Sequence, residues 1–246
     1  MIYLFWVKTY DYPGTLNMAV DVAIGELAHD VFLRFYTWQR PTLSLGKHQD
    51  GLDLDKDYIK MNGLDVVRRP SGGRAVLHWD ELTYSVVIPN THDLFNTKVL
   101  ELYNLLSGII VDGLNDIGYP VKIVEGHRKP VSSVCFQVPS IYEVALDDVK
   151  VIGSAQTRTQ KYILQHGSIV LIPHEEIKQC FTNTKHLDIP LIGLYSYFER
   201  SIDEIADAIK NSFERYFGRS MELKNSQFDE ILNRANEMEG MFVWKK

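Results

Sequence analysis

The stretch RRPSGGRAVLH, residues 68–78, places three arginines around a Ser-Gly-Gly turn that runs into an apolar segment. A phosphate-cradling P-loop would require Gly-x-x-x-x-Gly-Lys-Ser/Thr at the start of a helix. Here the turn lies between LDVVRR (64–69) and AVLH (75–78), both predicted strands, so neither the pattern nor the context fits. Such a turn either supplies only a positive φ or lets a ligand approach the backbone closely.

The segments around this turn predict an α+β fold with a largely antiparallel, mixed β-sheet flanked by helices. Apolar residues recur at helical spacing over 16–29 and 96–118. AVLH and LTYSVVIP (82–89) are expected to form a hairpin or meander. Further helices are predicted at 53–63, 174–181, 201–218 and 226–238, and the helix at 201–218 begins with a Ser201–Glu204 capping box. Strands are predicted at the N-terminus and at 31–38, 41–49, 64–69 and 120–125. Three more strands are predicted in succession over 141–172, with turns at Asp147-Asp148 and Thr159-Gln160.

The composition resembles that of ordinary soluble proteins, with 45% hydrophobic residues and a net charge of -6. A chain of 246 residues with this apolar content is expected to form a single domain, 1–246, with a helical C-terminal end from about 174 and no separate accessory domain. An acidic chain lacks the basic surface that nucleic acid binding needs. No apolar run reaches the roughly 18 to 20 residues of a membrane span. Two cysteines do not make a disulfide framework, so a cytoplasmic protein without nucleic-acid or membrane partners is expected.

A few side chains are reactive enough to be considered individually. His78 and His166 are isolated histidines, more often structural than catalytic, and no second pair of ligands supports a metal site. Lys150 lies in an apolar strand, where it either points to solvent or faces inward as a donor to a carbonyl or phosphate oxygen. Cys135 lies in a polar, loop-like stretch that suits a nucleophile better than the helical surroundings of Cys180, which indicate packing.

Several stretches resemble, in the same order along the chain, the biotin and lipoate protein ligase superfamily and specifically its lipoate branch. The loop of Gly-Arg-Gly-Arg type that biotin ligases carry has no counterpart here. The resemblance implies the α+β catalytic-domain fold of that superfamily and covers the chain from residue 16 to about 172. The matching stretches are LNMAVD (16–21), LSLGKHQ (43–49), DVVRRPSGGRAVLHWDELTYSV (65–86), CFQVPSIYEV (135–144) and KVIGSAQTRTQKYILQHGSIVL (150–171).

Within the lipoate branch, the turn is more similar to LipM-type octanoyltransferases than to ATP-dependent ligases. Ligases usually read Gly-Gly-Gly-Ala-Val-Phe-His there, whereas this chain has Arg74 in place of the third glycine and Leu77 in place of the phenylalanine. Octanoyltransferases of this type move an octanoyl group from acyl carrier protein to a lysine of a lipoyl domain through a cysteine thioester. Cys135 stands at the position that matches the nucleophile, and Lys150 is the matching cation.

The resemblance also implies which residues surround the acyl group and which partners deliver and receive it. The expected donor is octanoyl-acyl carrier protein, and the acceptor is a lipoyl-domain protein such as the H protein of glycine cleavage or an E2 subunit. The transferase needs no cofactor; the alternatives are a lipoyl amidotransferase, a lipoate–protein ligase that uses ATP and Mg²⁺ (alone or with an accessory subunit), and a non-enzymatic carrier of acyl groups. Arg68, Arg69 and Arg74 are alternatively expected to steer the acidic carrier protein. The substrate-binding residues implied are Arg69, Ser71, Gly72, Gly73, Arg74, His78, Gly153, Ser154, His166 and Gly167.

Overall fold

The computed structural model describes residues 4–125, 142–188 and 190–245. Within them the helices are Gly14–Leu27 (α1), Lys56–Met61 (α2), Val99–Asp116 (α3), Ile202–Phe217 (α4) and Asn225–Met238 (α5). The strands are Leu4–Tyr12 (β1), Val31–Trp38 (β2), Thr42–Leu45 (β3), Asp65–Arg68 (β4), Val76–His78 (β5), Glu81–Pro89 (β6), Lys122–Glu125 (β7), Tyr142–Leu146 (β8), Val149–Arg158 (β9), Tyr162–Val170 (β10) and Ser220–Glu222 (β11).

Eight strands form one mixed sheet in the order β11-β1-β2-β6-β10-β9-β8-β7. The β11-β1 and β1-β2 pairs are parallel, and the other pairs are antiparallel. The turn between β8 and β9 falls at Asp147 and Asp148, both with positive φ, which aspartate tolerates better than most residues. The prediction of a largely antiparallel, mixed sheet is therefore confirmed.

Helices cover both faces of the large sheet, and successive side chains of β2 pack alternately against the helices on the two faces. Leu33 and Phe35 join a core with α3 and α4 on one face, whereas Phe32 and Tyr36 join a core with α1 and α5 on the other. A strand buried on both faces reads as an almost continuous apolar run, which explains VFLRFYTW. Arg34 interrupts that run and is nevertheless completely buried.

The Ser-Gly-Gly turn belongs to a second, small sheet of order β4-β3-β5. Thr42 of β3 pairs with Asp65 on one side and with His78 on the other, so the turn between β4 and β5 crosses over the end of β3. The predicted hairpin of β5 with β6 is wrong. Both edges of β6 are occupied, by β2 and by β10, so no edge remains for β5.

One further local prediction differs from the structure, and one strand was not predicted. The predicted helix at 174–181 is reduced to a 3-10 turn at Glu175–Lys178, because Phe181 forms a β-bridge with Leu54 and takes the chain out of the helical path. Strand β11 had no counterpart in the predictions. The capping box at Ser201 and Glu204 is confirmed, and none of the helices in the described residues is long and apolar enough to cross a membrane.

Candidate active site

Most of the predicted substrate-binding residues meet in a cleft between the small sheet and the large one. The cleft has an empty volume of about 430 Å³, and Met18 of α1 and Tyr36 of β2 contribute to its walls. Strands β9 and β10 pair with Gly167 opposite Ser154, which brings their two predicted motifs together. The predicted residues that line the cleft are Arg69, Gly73, His78, Gly153, Ser154, His166 and Gly167.

Two of the three arginines around the turn donate to main-chain carbonyls. Arg68 Nη1 donates to the carbonyl oxygens of Gly46 (3.0 Å) and of the two nearby residues Lys47 and Gln49. Arg69 donates to Ser44 O (3.1 Å), Gly72 O (2.8 Å) and Arg74 O (2.6 Å). Buried carbonyls need such donors. These cations therefore hold the turn against the loop after β3.

The turn and that loop approach each other so closely that glycine is required on both sides. A Cβ on Gly46 would lie 2.0 Å from the carbonyl oxygen of Gly73, and Gly73 itself has φ of +93°. Arg74 is not among the described residues with positive φ, so its backbone has no need of the glycine that ligases carry there. The Nη1 atom of Arg74 is buried and has no hydrogen-bond partner within the described part of the chain.

His166 belongs to a buried chain of hydrogen bonds between α1, β10 and the turn. Its Nδ1 lies 3.0 Å from Asp21 Oδ2, and its Nε2 lies 2.6 Å from Ser71 Oγ. Ser71 has no exposed surface and stands behind His166, outside the lining of the cleft. An acceptor-only carboxylate at Nδ1 fixes the proton on that nitrogen, so Nε2 accepts the hydroxyl proton of Ser71.

The negative charge of Asp21 is compensated by a cation within the same cluster. Arg34 Nη1 lies 2.8 Å from Asp21 Oδ1, and both side chains are completely buried. Burial alone would raise the pKa of Asp21, but the His166 hydrogen bond and the Arg34 charge lower it below its ordinary value. Burial and the adjacent Asp21 charge raise the pKa of Tyr36, which donates its hydroxyl to the same carboxylate and stays protonated.

His78 repeats this arrangement on the opposite wall of the cleft. Its Nδ1 lies 2.7 Å from Glu81 Oε1, and its Nε2 lies 2.8 Å from Ser44 Oγ. The imidazole stacks on the indole of Trp38 with a centroid distance of 3.9 Å. Thr83 and Ser168 also donate their hydroxyls to the Glu81 carboxylate. Two carboxylate–histidine–serine chains thus flank one cleft.

Lys150 faces inward, so its solvent-facing alternative is wrong. Its Nζ lies 2.7 Å from Glu143 Oε1, and the two side chains are 9% and 8% exposed. Lys150 does not line the cleft itself. It lines the adjoining cavity together with Trp79 and Glu81, and Glu81 also contacts His78 of the cleft.

Only one of the two cysteines lies in the described part of the chain. Cys135 lies outside the described residues. Cys180 is completely buried among the side chains that pack under the small sheet, as its sequence context indicates. Burial, with a smaller contribution from nearby Asp55 and Glu176, raises the pKa of Cys180 to about 12, so this thiol is not a nucleophile at neutral pH. In the described ranges no three His, Cys, Asp or Glu side chains are grouped as metal ligands.

The remaining predicted residues and several missed ones complete the site. Gly72 and Arg74 do not line the cleft and contribute their carbonyls to Arg69. The residues of the site that the sequence patterns did not indicate are Asp21, Arg34, Ser44, Glu81 and Glu143. A charged residue inside an otherwise apolar strand, as in Arg34, was the available signal, since such a charge is buried only with a partner.

The sequence is similar to those of known proteins. Residues 13–214 match the family described as the lipoyl protein ligase A/B catalytic domain. The octanoyltransferase LipM of Exiguobacterium sp. is 36% identical over 94% of this chain and 94% of its own length. The octanoyltransferase LipM of Staphylococcus aureus is 36% identical over 87% of this chain and 86% of its own.

Among solved structures, a putative lipoate protein ligase from T. acidophilum with bound lipoic acid superposes with a TM-score of 0.77. It is 20% identical, and the match covers 98% of this chain and 95% of that one. At this identity the likeness establishes the fold, and the cleft described above lies within it.

Proposed function

The chain belongs to the lipoyl protein ligase A/B catalytic-domain family, and we propose that it transfers an octanoyl group from acyl carrier protein to a lysine of a lipoyl-domain protein. The observation that carries this proposal is the 36% identity to an octanoyltransferase LipM over nearly the whole length of both chains. The cleft supports it, because two ordered strands and an arginine-held turn enclose a narrow space beside buried polar groups. An eight-carbon chain gains about 0.8 kcal/mol for each buried CH₂.

The proposed reaction has two steps and needs no nucleotide. The thiolate of Cys135 attacks the octanoyl thioester, a C–S bond forms, and the carrier thiolate leaves. The amine of the acceptor lysine then attacks the octanoyl-Cys135 carbonyl, a C–N bond forms, and the Cys135 thiolate departs. Thioester exchange is nearly neutral in free energy and amide formation from a thioester is downhill, so no ATP is required.

Lys150 is the proposed cation beside the thioester. Its ammonium group is held by Glu143, at an Nζ–Oε1 distance of 2.7 Å, in the cavity that Glu81 also lines. A fixed ammonium either raises the thiolate fraction of a neighbouring thiol or stabilises the oxyanion that forms during attack. Loss of one such donor typically costs about a hundredfold or more in rate.

Arg74 is the arginine best suited to steer the donor. Arg68 and Arg69 already donate to several carbonyls, whereas Nη1 of Arg74 has no hydrogen-bond partner in the described segments. A guanidinium is a good partner for phosphate, which the phosphopantetheine arm of a carrier protein contains. The acceptor is proposed to be a lipoyl domain such as that of an H protein or an E2 subunit.

The second candidate function is an ATP-dependent lipoate–protein ligase, which the fold similarity to ligases favours. A lipoyl amidotransferase would use the same cysteine with a lipoyl domain as donor. Mass spectrometry separates these candidates. Octanoyl-acyl carrier protein without nucleotide is expected to leave an octanoyl adduct on Cys135, and a later addition of lipoyl domain is expected to move it to the domain lysine.

Two controls make this assay decisive. Cys135→Ser is expected to abolish the thioester adduct, whereas Cys180→Ser, at the buried thiol, is expected to retain it. An octanoyl-lipoyl domain donor that works better than the carrier protein would indicate the amidotransferase. No adduct on Cys135, together with pyrophosphate release from ATP and lipoate, would contradict the transferase and establish the ligase.

A further inference from the structure

The reaction proposed above releases a proton in its second step only. Thioester exchange begins and ends with a thiolate, so it needs no net proton transfer. The attack of a neutral amine on octanoyl-Cys135, by contrast, leaves an amide nitrogen that has lost one proton. A lysine amine is also mostly protonated near neutrality. A proton acceptor beside the cleft is therefore required for the second step.

The two histidines of the cleft make equivalent hydrogen bonds, but the carboxylates beside them differ in whether another cation pairs with them. Each donates Nδ1–H to a carboxylate and accepts a serine hydroxyl at Nε2. The Asp21 carboxylate beside His166 is already neutralised by Arg34. Glu81, in contrast, has no ion-pair partner other than His78 in the parts of the chain that the structure describes. His78 is therefore the only cationic partner that the described residues offer to the Glu81 carboxylate, whereas Asp21 already has a cation in Arg34.

Two further contacts distinguish His78. Its ring lies flat against the indole of Trp38 at a centroid distance of 3.9 Å, and the face of an indole attracts a cation. The hydroxyls of Thr83 and Ser168 donate to the Glu81 carboxylate and fix it beside the His78 ring. Among the described side chains, no aromatic ring stacks on His166.

His78 also lines two openings, the cleft and a neighbouring groove. It lines the cleft and, through the same ring, an open groove whose wall includes Asp11, Asp80 and Glu81 against the single arginine Arg40. Three carboxylates against one arginine attract an ammonium group. Ser44 lines the cleft and lies between His78 Nε2 and the guanidinium of Arg69, which donates to the same hydroxyl at 3.2 Å.

From this geometry we infer that Ser44, His78 and Glu81 form the relay that accepts the proton of the incoming lysine. This inference rests on the proposed function. The incoming ammonium first loses one proton to solvent. The neutral amine nitrogen then forms its bond to the octanoyl carbonyl carbon, the C–S bond breaks, and the second amine proton passes to Ser44 Oγ while the Ser44 proton passes to His78 Nε2. The imidazolium, paired with Glu81, then releases this proton to solvent, so that Cys135 is again the thiolate with which the first step begins. His166 instead holds Ser71 and so positions the turn.

The charged groups that face His78 come from several elements. Glu81 contacts it directly, and Arg69 contacts Ser44, the other partner of His78. Asp11, Asp80 and Arg40 line the same groove as His78, and Asp80 is paired with His174. Lys150, paired with Glu143, lines the adjoining cavity with Glu81.

The test separates the two steps in single-turnover experiments. Octanoyl-enzyme is formed from octanoyl-acyl carrier protein, and its discharge to a lipoyl domain is followed from pH 6 to 9 by quenching and mass spectrometry. The wild-type discharge rate is expected to rise with pH throughout this range, because the acceptor lysine deprotonates, and to show one additional inflection from the relay. His78→Gln is expected to form octanoyl-enzyme normally and to discharge it about a hundredfold or more slowly, without the histidine inflection.

Three comparisons keep the test independent of misfolding. Glu81→Gln, which keeps the size of the side chain, is expected to slow discharge in the same selective way. His78→Ala with added imidazole is expected to recover part of the discharge rate, which a merely structural role would not allow. His166→Gln, the matched control, is expected to slow both steps alike and to keep the pH inflection.

Failure of this inference differs from failure of the proposed function. A wild-type protein that forms no octanoyl-enzyme overturns the function and the relay together. A wild-type protein that does so, with His78→Gln discharging at the normal rate or slowing both steps equally, overturns the relay alone. Loss of the pH inflection in Lys150→Gln, with the inflection kept in His78→Gln, would assign the proton to Lys150 instead.

Discussion

Arg34 and Asp21 form an ion pair in which both side chains have no exposed surface, with Nη1 and Oδ1 2.8 Å apart. The arginine comes from the middle of β2, and the aspartate comes from the core-facing side of α1. Arg34 also donates to Asn17 Oδ1 at 2.6 Å and to Thr9 Oγ1 at 2.8 Å, so each of its three guanidinium nitrogens makes a hydrogen bond. The cleft wall that holds His166 rests on this pair.

We predict that Arg34→Met lowers the free energy of unfolding by about 3–5 kcal/mol, because it leaves the Asp21 carboxylate buried without its cation. The matched control is Arg215→Met. Arg215 pairs with Asp116 at 2.5 Å, but both side chains are about half exposed, so its loss should cost about 0–1 kcal/mol. Urea unfolding of the two variants measures the difference. Equal losses of unfolding free energy in the two variants would show that burial does not determine how much the Arg34–Asp21 pair contributes to stability.

Asp21→Asn should change how stability depends on pH. Because the pKa of Asp21 is depressed in the folded protein, its contribution is complete above the ordinary value of 3.8 and is lost as the pH falls through the folded value. Below that ordinary value the wild-type unfolding free energy should therefore fall more steeply, by about 1.4 kcal/mol per pH unit, than that of Asp21→Asn. Unfolding by urea at pH 7, 5 and 3 provides the check, and parallel curves in acid would contradict the prediction.

Local patterns predicted the single elements well, whereas contacts between distant segments could not be foreseen. Strand β2 and helix α4 follow from apolar periodicity and a capping box, both of which are local. The small sheet depends on Thr42 pairing with both Asp65 and His78, and no periodicity encodes such a pairing. The predicted hairpin of β5 with β6 failed for this reason.

The candidate site shows the same division. The motif residues His78, Gly153 and His166 were predicted by resemblance and line one cleft. Their partners Glu81 and Asp21 were missed, because a single sequence shows a carboxylate without showing which nitrogen it meets. The arginines of the turn were visible as cations, but their carbonyl acceptors depend on the folded path of the turn.

Arg69→Lys should destabilise the protein although it keeps the charge. A lysine ammonium cannot reproduce the planar fork that donates to Ser44 O, Gly72 O and Arg74 O. Leaving one or two of these buried carbonyls without a donor is expected to cost about 1–3 kcal/mol. Arg74→Lys is the comparison, since no hydrogen bond of its Nη1 is lost, and its midpoint of thermal unfolding should stay within about one degree of the wild type. Similar shifts in both variants would argue against the structural role of Arg69.

Gly46→Ala should be far more damaging than Gly72→Ala, although both glycines lie in the contact between the turn and the loop after β3. The new Cβ at Gly46 would lie 2.0 Å from a backbone oxygen of Gly73, which cannot move without displacing the turn. At Gly72, no described atom other than those of its chain neighbours lies within 4 Å of the new Cβ, and the φ is not positive. Thermal unfolding and octanoyl-enzyme formation should both fall for Gly46→Ala and change little for Gly72→Ala. A stable, active Gly46→Ala variant would show that the loops separate easily.

Cys180 should resist alkylation in the folded protein. Burial raises the pKa of its thiol to about 12, so at pH 8 only about one molecule in ten thousand carries the reactive thiolate, and that thiolate has no exposed surface. We expect iodoacetamide at pH 8 to leave Cys180 unmodified in the native protein and to modify it completely in urea, as measured by peptide mass spectrometry. Prior reaction with octanoyl-acyl carrier protein should not alter this result, because the proposed thioester forms on Cys135. Rapid labelling of Cys180 under native conditions would mean that the core beneath the small sheet opens, and octanoyl adducts would then have to be assigned by peptide rather than by mass of the whole chain.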